Sequence, residues 1–327
     1  YSVLDPGAFF DGLAHQSETS AGKGGKVGQV GDGGIPYYLG ALTWGLGWVP
    51  LIAAGVGAVL LSLRQRTKAF VLILPPIAFL IFMSTYNRWF GRWAMPVIPF
   101  ACLLAGWAVS VAVAATAGRR ILRIPVALPV AAFAIAALCV QGALLDAHLG
   151  SVLTHKDTRA IARDWMRKHI PRGARIIVEP GVVPQRWLGE SVDFSRPFLI
   201  DDARRQKRKT WRILELKREL AGSPETYTST LQPALINAYK RFGWCWVMTS
   251  STQRGRAEVD RKRLRAANAY YSALRRNSSL MFVTTPWPHG TEAVPFDYDT
   301  SFNHSDSAYV RPGPQINIYR LHGGRCS

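Results

Sequence analysis

The chain of 327 residues is 48% hydrophobic and carries 40 Lys and Arg against 21 Asp and Glu, a net charge of +19. These averages conceal two unlike halves: residues 1–149 hold 10 Lys and Arg against 5 Asp and Glu, and residues 150–327 hold 30 against 16, a net +14. A single water-soluble domain is excluded, because the first half has too few charged residues to give its long apolar stretches a polar shell.

The chain starts at Tyr1 without Met or a cleavable leader, and it reads as the C-terminal part of a longer protein. Nine Gly fall within residues 1–36, so residues 1–38 are expected to form a mobile, Gly-rich external loop. Neither the P-loop nor the dinucleotide spacing of glycines is present there. Four apolar stretches without a charge follow: Leu39–Leu63, Ala69–Thr85, Trp93–Gly118 and Ile124–Leu145. A hydrocarbon core about 30 Å thick needs roughly 20 residues of helix, so residues 39–149 are expected to be a four-span α-helical membrane bundle. Charges and broken helices at mid-span, the marks of a transporter, are not evident in these stretches.

The loops set an expected sidedness. Arg64, Arg66 and Lys68 follow the first stretch, and Arg119, Arg120 and Arg123 follow the third; short loops rich in Lys and Arg stay cytoplasmic. Residues 1–38, the loop Tyr86–Arg92 and everything after His148 then lie outside, in the plasma membrane of the cell. The outer loop itself holds Arg88 and Arg92, against the rule.

That loop, Thr85-Tyr-Asn-Arg-Trp-Phe-Gly-Arg-Trp93, is the densest chemical signal in the chain. Two guanidiniums four residues apart, among aromatics at a membrane surface, suit bidentate binding of a phosphate. They equally suit anchoring, since Trp and Tyr favour the interface and Arg snorkels to headgroups. Pro96 and Pro99 sit just inside the next span, where the first is tolerated and the second kinks the helix. Asp5, Asp11 and Asp146 are external or at a helix end; each fits a proton acceptor or a merely solvated charge.

The pattern Arg92-Trp-x-x-Pro-x-x-Pro-Phe-x-x-Leu-x-Ala-Gly-Trp107 resembles the late span of the dolichyl-phosphate-mannose protein mannosyltransferase-like family, the polyprenyl-phosphate-sugar-dependent membrane glycosyltransferases. Tyr37-Tyr38-Leu39, Asp157-Thr-Arg159-x-x-Ala162-x-x-Trp165, Ile170-Pro-x-Gly173-x-x-Ile176-x-x-Glu179, Trp246–Ser251, Tyr270-Tyr271-x-x-Leu274, Pro295-Phe-Asp297 and Arg311-Pro-Gly-Pro-x-Ile316 extend the resemblance over nearly the whole chain. The resemblance implies inverting sugar transfer from a polyprenyl phosphate carrier to a protein or glycan acceptor on the outer face of the membrane. It implies a catalytic carboxylate upstream of Tyr1, and it leaves room for a divalent metal. It places the lipid phosphate on Arg88 and Arg92, with Tyr86, Asn87 and Trp89 in support. The rival reading is a non-catalytic membrane anchor whose basic outer domain grips anionic lipid or a wall polymer.

Residues 150–327 are expected to form a small extracytoplasmic α/β domain. Thr158–His169 is amphipathic and ends at Pro171 and Gly173; Leu231–Phe242 and Arg256–Arg275 also read as helices. Ala174–Glu179, Cys245–Thr249, Leu280–Thr284 and Gln315–Leu321 read as strands. The basic runs Arg204–Lys209 and Arg261–Arg265 fit solvated faces, anionic lipid or a wall polymer, and nucleic acid is not the expected partner beyond a membrane. The seven His and four Cys show no zinc spacing. Cys102 and Cys139 read as apolar packing residues, while Cys245 and Cys326 would be free to pair in an oxidising compartment.

Overall fold

The computed structural model describes residues 5–20, 34–86, 89–121, 124–171, 174–179, 198–200, 212–215, 228, 231–298 and 306–326. The chain divides into two compact units between Gly150 and Ser151.

The first unit is helical. Its opening helix, α1 (Pro6–Ser20), corrects the expectation of a loop throughout residues 1–38. The signal was present in Asp5-Pro6: the Asp5 carboxylate accepts from the Ala8 N–H at 3.0 Å, and Pro at the first helical position needs no partner for the N–H it lacks. Further along, α4 (Arg66–Ser84) runs through Pro75 and Pro76. A 3-10 segment, Gly91–Val97, leads into α5 (Ile98–Ala115). A two-residue hairpin, β1 (Arg120–Ile121) with β2 (Ile124–Pro125), precedes α6 (Ala127–Thr154).

Three helices among the described residues are long and apolar enough to cross a membrane, and a fourth span results if one bent pair is counted as a single crossing. That pair corrects the reading of Leu39–Leu63 as one unbroken stretch. It consists of α2 (Ile35–Gly45) and α3 (Trp48–Arg64), turned by 118° relative to each other. Gly47 makes the corner at φ +106°, a left-handed conformation open to glycine. The break frees backbone groups that lipid cannot satisfy. One side chain repairs both sides: Gln141 on α6 accepts from the Trp48 N–H at 2.9 Å and donates to the Thr43 carbonyl at 3.0 Å. A broken helix of the kind transporters carry is therefore present after all, against the expectation of unbroken spans.

Helix α3 packs on α5 through a narrow seam. Pro50, Ala54, Gly57 and Leu61 are the buried residues of α3, spaced three and four apart; Ala54 and Leu61 cluster with Ala101, Leu104 and Ala105, and Gly57 lies against the Leu104 backbone. Ile52, Val56 and Val59 on α3, with Phe70 and Ile81 on α4, remain exposed, the distribution that an apolar solvent allows.

The second unit is a mixed sheet with helices. Its helices are α7 (Thr158–His169), α8 (Ala234–Phe242), α9 (Ser251–Val259) and α10 (Arg265–Arg276). Its strands are β3 (Arg175–Val178), β4 (Phe198–Ile200), β5 (Arg212–Glu215), β6 (Trp246–Ser250), β7 (Ser278–Thr284) and β8 (Ile316–Leu321), in the order β4-β5-β3-β6-β8-β7. The β3 strand runs parallel to β5 and β6; the other pairings are antiparallel. Asp157 caps α7 through the Arg159 N–H at 2.7 Å, and Gly243 ends α8 in the left-handed region. Ala162 and Met166 of α7 close one face of the core over Ile176, Val178, Met248, Ile316 and Ile318.

The single helix expected over Arg256–Arg275 is two. Asp260 makes the turn between them, its carboxylate accepting from the Arg263 N–H at 3.2 Å, as a side chain that competes with the helix ladder does. Cys245 and Cys326 are joined, with Cα atoms 5.2 Å apart, tying the 3-10 turn Gly324–Cys326 to the start of β6. The run Arg204–Lys209 lies outside the described residues.

Candidate functional site

In the first unit, the segment between α4 and α5 is built on the end of α4 and the 3-10 segment. Tyr38 and Leu42 of α2, Met83 of α4, and Ala94 and Val97 of the 3-10 segment form one buried cluster, with Tyr37, Tyr86, Trp89 and Trp93 packed around it. Tyr86 meets Phe82 at 5.5 Å and Trp93 at 6.2 Å between ring centroids, both edge to face; Trp89 lies 6.4 Å from Tyr37. Edge-to-face rings hold each other at fixed angles, so the cluster is a stiff aromatic cap. The bend at Gly47 lays α2 against this cap, and neither Tyr37 nor Tyr38 was assigned to the site from sequence.

Arg92 is the second residue of the 3-10 segment, its guanidinium 4.6 Å from the Phe90 ring centroid. Its side chain is exposed and forms no ion pair among the described residues. A guanidinium stacked on a ring keeps its in-plane N–H groups available for an anion. Tyr86 and Trp89 thus share one cluster, Arg92 stands beside it, and Asn87 and Arg88 lie outside the described residues.

The second unit contains a buried carboxylate to which sequence gave no role. Glu179 follows β3 at its C-terminal end and is 1% exposed. One oxygen accepts from the Tyr271 hydroxyl at 2.7 Å, the other from the Ser250 N–H at 2.8 Å, where Ser250 ends β6 and caps α9. Burial pushes the Glu179 carboxyl up to about 7, although the bonds from Tyr271 and Ser250 and the nearby Arg254 all favour its charged form. The same burial, with the carboxylate beside it, raises the Tyr271 hydroxyl well above the usual phenol range. Both carboxylate oxygens are engaged and sealed from solvent, so the group ties β3, β6 and α10 together rather than meeting a substrate.

A consequence is measurable. The native state keeps a proton that the unfolded chain releases between pH 4.5 and about 7. Stability of this unit is expected to be greatest at the acidic side of that window and to fall across it by roughly 3 kcal/mol, at about 1.4 kcal/mol per pH unit. Glu179→Gln can keep both bonds, its carbonyl on Ser250 and its amide on the Tyr271 oxygen. Melting of the full chain in detergent between pH 5 and 8 should show the decline in the wild type and a flatter profile in Glu179→Gln.

Among the described residues, no group of three or more His, Cys, Asp or Glu is placed to hold a metal ion. Comparison with protein-family models, with curated proteins and with solved structures finds no match.

Proposed function

We propose that the chain is the C-terminal part of a plasma-membrane glycosyltransferase that moves a sugar from a polyprenyl phosphate carrier to a protein or glycan acceptor on the outer face. In this reading the bent pair α2–α3 is one crossing, giving four spans, and the second unit is extracytoplasmic. The Cys245–Cys326 bridge supports that placement, since disulfides persist in oxidising compartments.

The observation that carries the reading is the free guanidinium of Arg92 beside an ordered aromatic cap in an apolar helical unit. A phosphate leaving group gains negative charge as the glycosidic bond breaks, and a fixed Arg donor in a water-poor site stabilises it. The edge-to-face rings offer the isoprenoid chain an apolar surface next to that donor. The general base belongs to residues upstream of Tyr1, as the resemblance implies, and a divalent metal remains compatible with the chemistry.

Binding of the carrier tests this directly. The chain reconstituted in nanodiscs with a long-chain polyprenyl monophosphate should retain the lipid in native mass spectra, and Arg92→Ala should release it. Equal retention by both forms would favour the anchor reading, in which the basic second unit does the binding.

A further inference from the structure

The second unit contains a small cleft between the first turn of α7 and the segment that leaves β7, with a volume of about 170 Å³. Ile161 forms one wall, Phe282 and the buried Trp287 supply aromatic surface, and His289 and Arg311 stand at the lining. The walls are fixed by backbone bonds. Val310 and Arg311 N–H groups donate to the Pro286 carbonyl at 2.7 and 3.3 Å, and Thr158 of α7 donates through its N–H to Pro312 and through its hydroxyl to Pro314. The Thr285 hydroxyl holds the Trp287 carbonyl at 2.7 Å, and Tyr309 packs against the Trp287 ring at 6.0 Å. A cleft built this way is formed before any ligand arrives.

Neither Arg311 nor His289 has an ion pair or side-chain hydrogen bond among the described residues. Arg311 is partly buried in the lining of this mostly apolar cavity, and no carboxylate engages its guanidinium fork among the described residues. The volume is below the few hundred Å³ of pockets that enclose a whole small molecule, so the cleft suits one ring of a longer ligand. Its unit carries 30 Lys and Arg against 16 Asp and Glu over residues 150–327, which draws anions toward it.

We infer that this cleft binds a single acidic sugar unit of a glycan, its ring against Phe282 and Trp287 and its carboxylate on Arg311, with His289 on a ring hydroxyl. The binding does not require the transfer reading; if both hold, the cleft selects an acidic glycan as acceptor. The test is saturation-transfer NMR and calorimetric titration of the full chain in detergent with D-glucuronate, D-glucose and inorganic phosphate. Glucuronate should bind, glucose should bind at least tenfold more weakly, and phosphate should not displace glucuronate at equal concentration. Arg311→Gln should weaken glucuronate roughly ten- to a hundredfold, as loss of a hydrogen bond to a charged group does, with unchanged melting. His289→Gln should weaken it less, and Lys262→Gln, which removes an exposed cation elsewhere, should leave it alone. Equal affinity for glucose and glucuronate, full competition by phosphate, or wild-type affinity in Arg311→Gln would overturn the inference. Carrier binding by Arg92 is read separately, so either proposal can fail alone.

Discussion

Arg92→Ala in the full-length protein is expected to lower sugar transfer from a polyprenyl phosphate donor by roughly a hundred- to a thousandfold, the usual cost of one fixed donor aimed at developing charge. The folded protein should survive the change. Arg92 is exposed, and its described partner is the Phe90 ring, a contact worth about 0.5–1 kcal/mol at such a site. Arg92→Lys keeps the charge but loses the planar fork, so its rate should fall between the two. Arg88→Ala belongs in the same assay, because sequence gives both guanidiniums one role. Initial rates in membranes, normalised to the amount of folded protein, separate the readings: an anchor predicts no change with either substitution.

Gly57→Ala is expected to destabilise the membrane unit by roughly 3 kcal/mol or more, beyond the usual cost of overpacking. A Cβ at residue 57 would stand 1.9 Å from the Leu104 carbonyl oxygen and 2.6 Å from its carbon. Both are backbone atoms of α5, so no rotamer relieves the clash and the two helices must separate. Close approach through small residues is how helices associate where apolar solvent offers no hydrophobic drive. Gly55→Ala, on the same helix, is the control: its Cβ meets nothing within 4 Å, and alanine favours the helix. Thermal melting in detergent should show a large loss for residue 57 and none for residue 55. Equal melting of the two variants would contradict the packing of α3 on α5.

What the sequence revealed was what lies close along the chain. The amphipathic stripe of Thr158–His169, ended by Pro171 and Gly173, marks α7 to the residue. Long apolar stretches mark three helices of membrane-crossing length. The break between α2 and α3 was not legible there, because its stabilising partner, Gln141, is distant in the chain and is a lone amide in an apolar stretch. The split at Asp260 escaped because the basic, amphipathic character of Arg256–Arg275 continues across it; a helix-breaking Asp was the local clue.

The strands β4 and β5 were missed for a related reason: β5 pairs in parallel with β3, distant in sequence, β4 pairs only with β5, and periodicity sees one segment at a time. The candidate site was half legible. Aromatics and guanidiniums between α4 and α5 were evident as a cluster of residue types, but the contribution of Tyr37 and Tyr38 depends on the turn at Gly47. Glu179 looked like a strand-end residue, and only the convergence of Ser250 and Tyr271 on its carboxylate reveals a buried group that titrates near neutrality.

The most direct measurement concerns the face on which the aromatic cap opens. Thr85 is exposed at the end of α4, and a Thr85→Cys variant lacking the free thiols of Cys102 and Cys139 reports that position alone. With a membrane-impermeant maleimide on intact cells, Thr85→Cys should label fully without permeabilisation. Labelling that appears only after permeabilisation would place the cap on the cytoplasmic side and contradict the assignment of Arg92 to an outward-facing carrier phosphate.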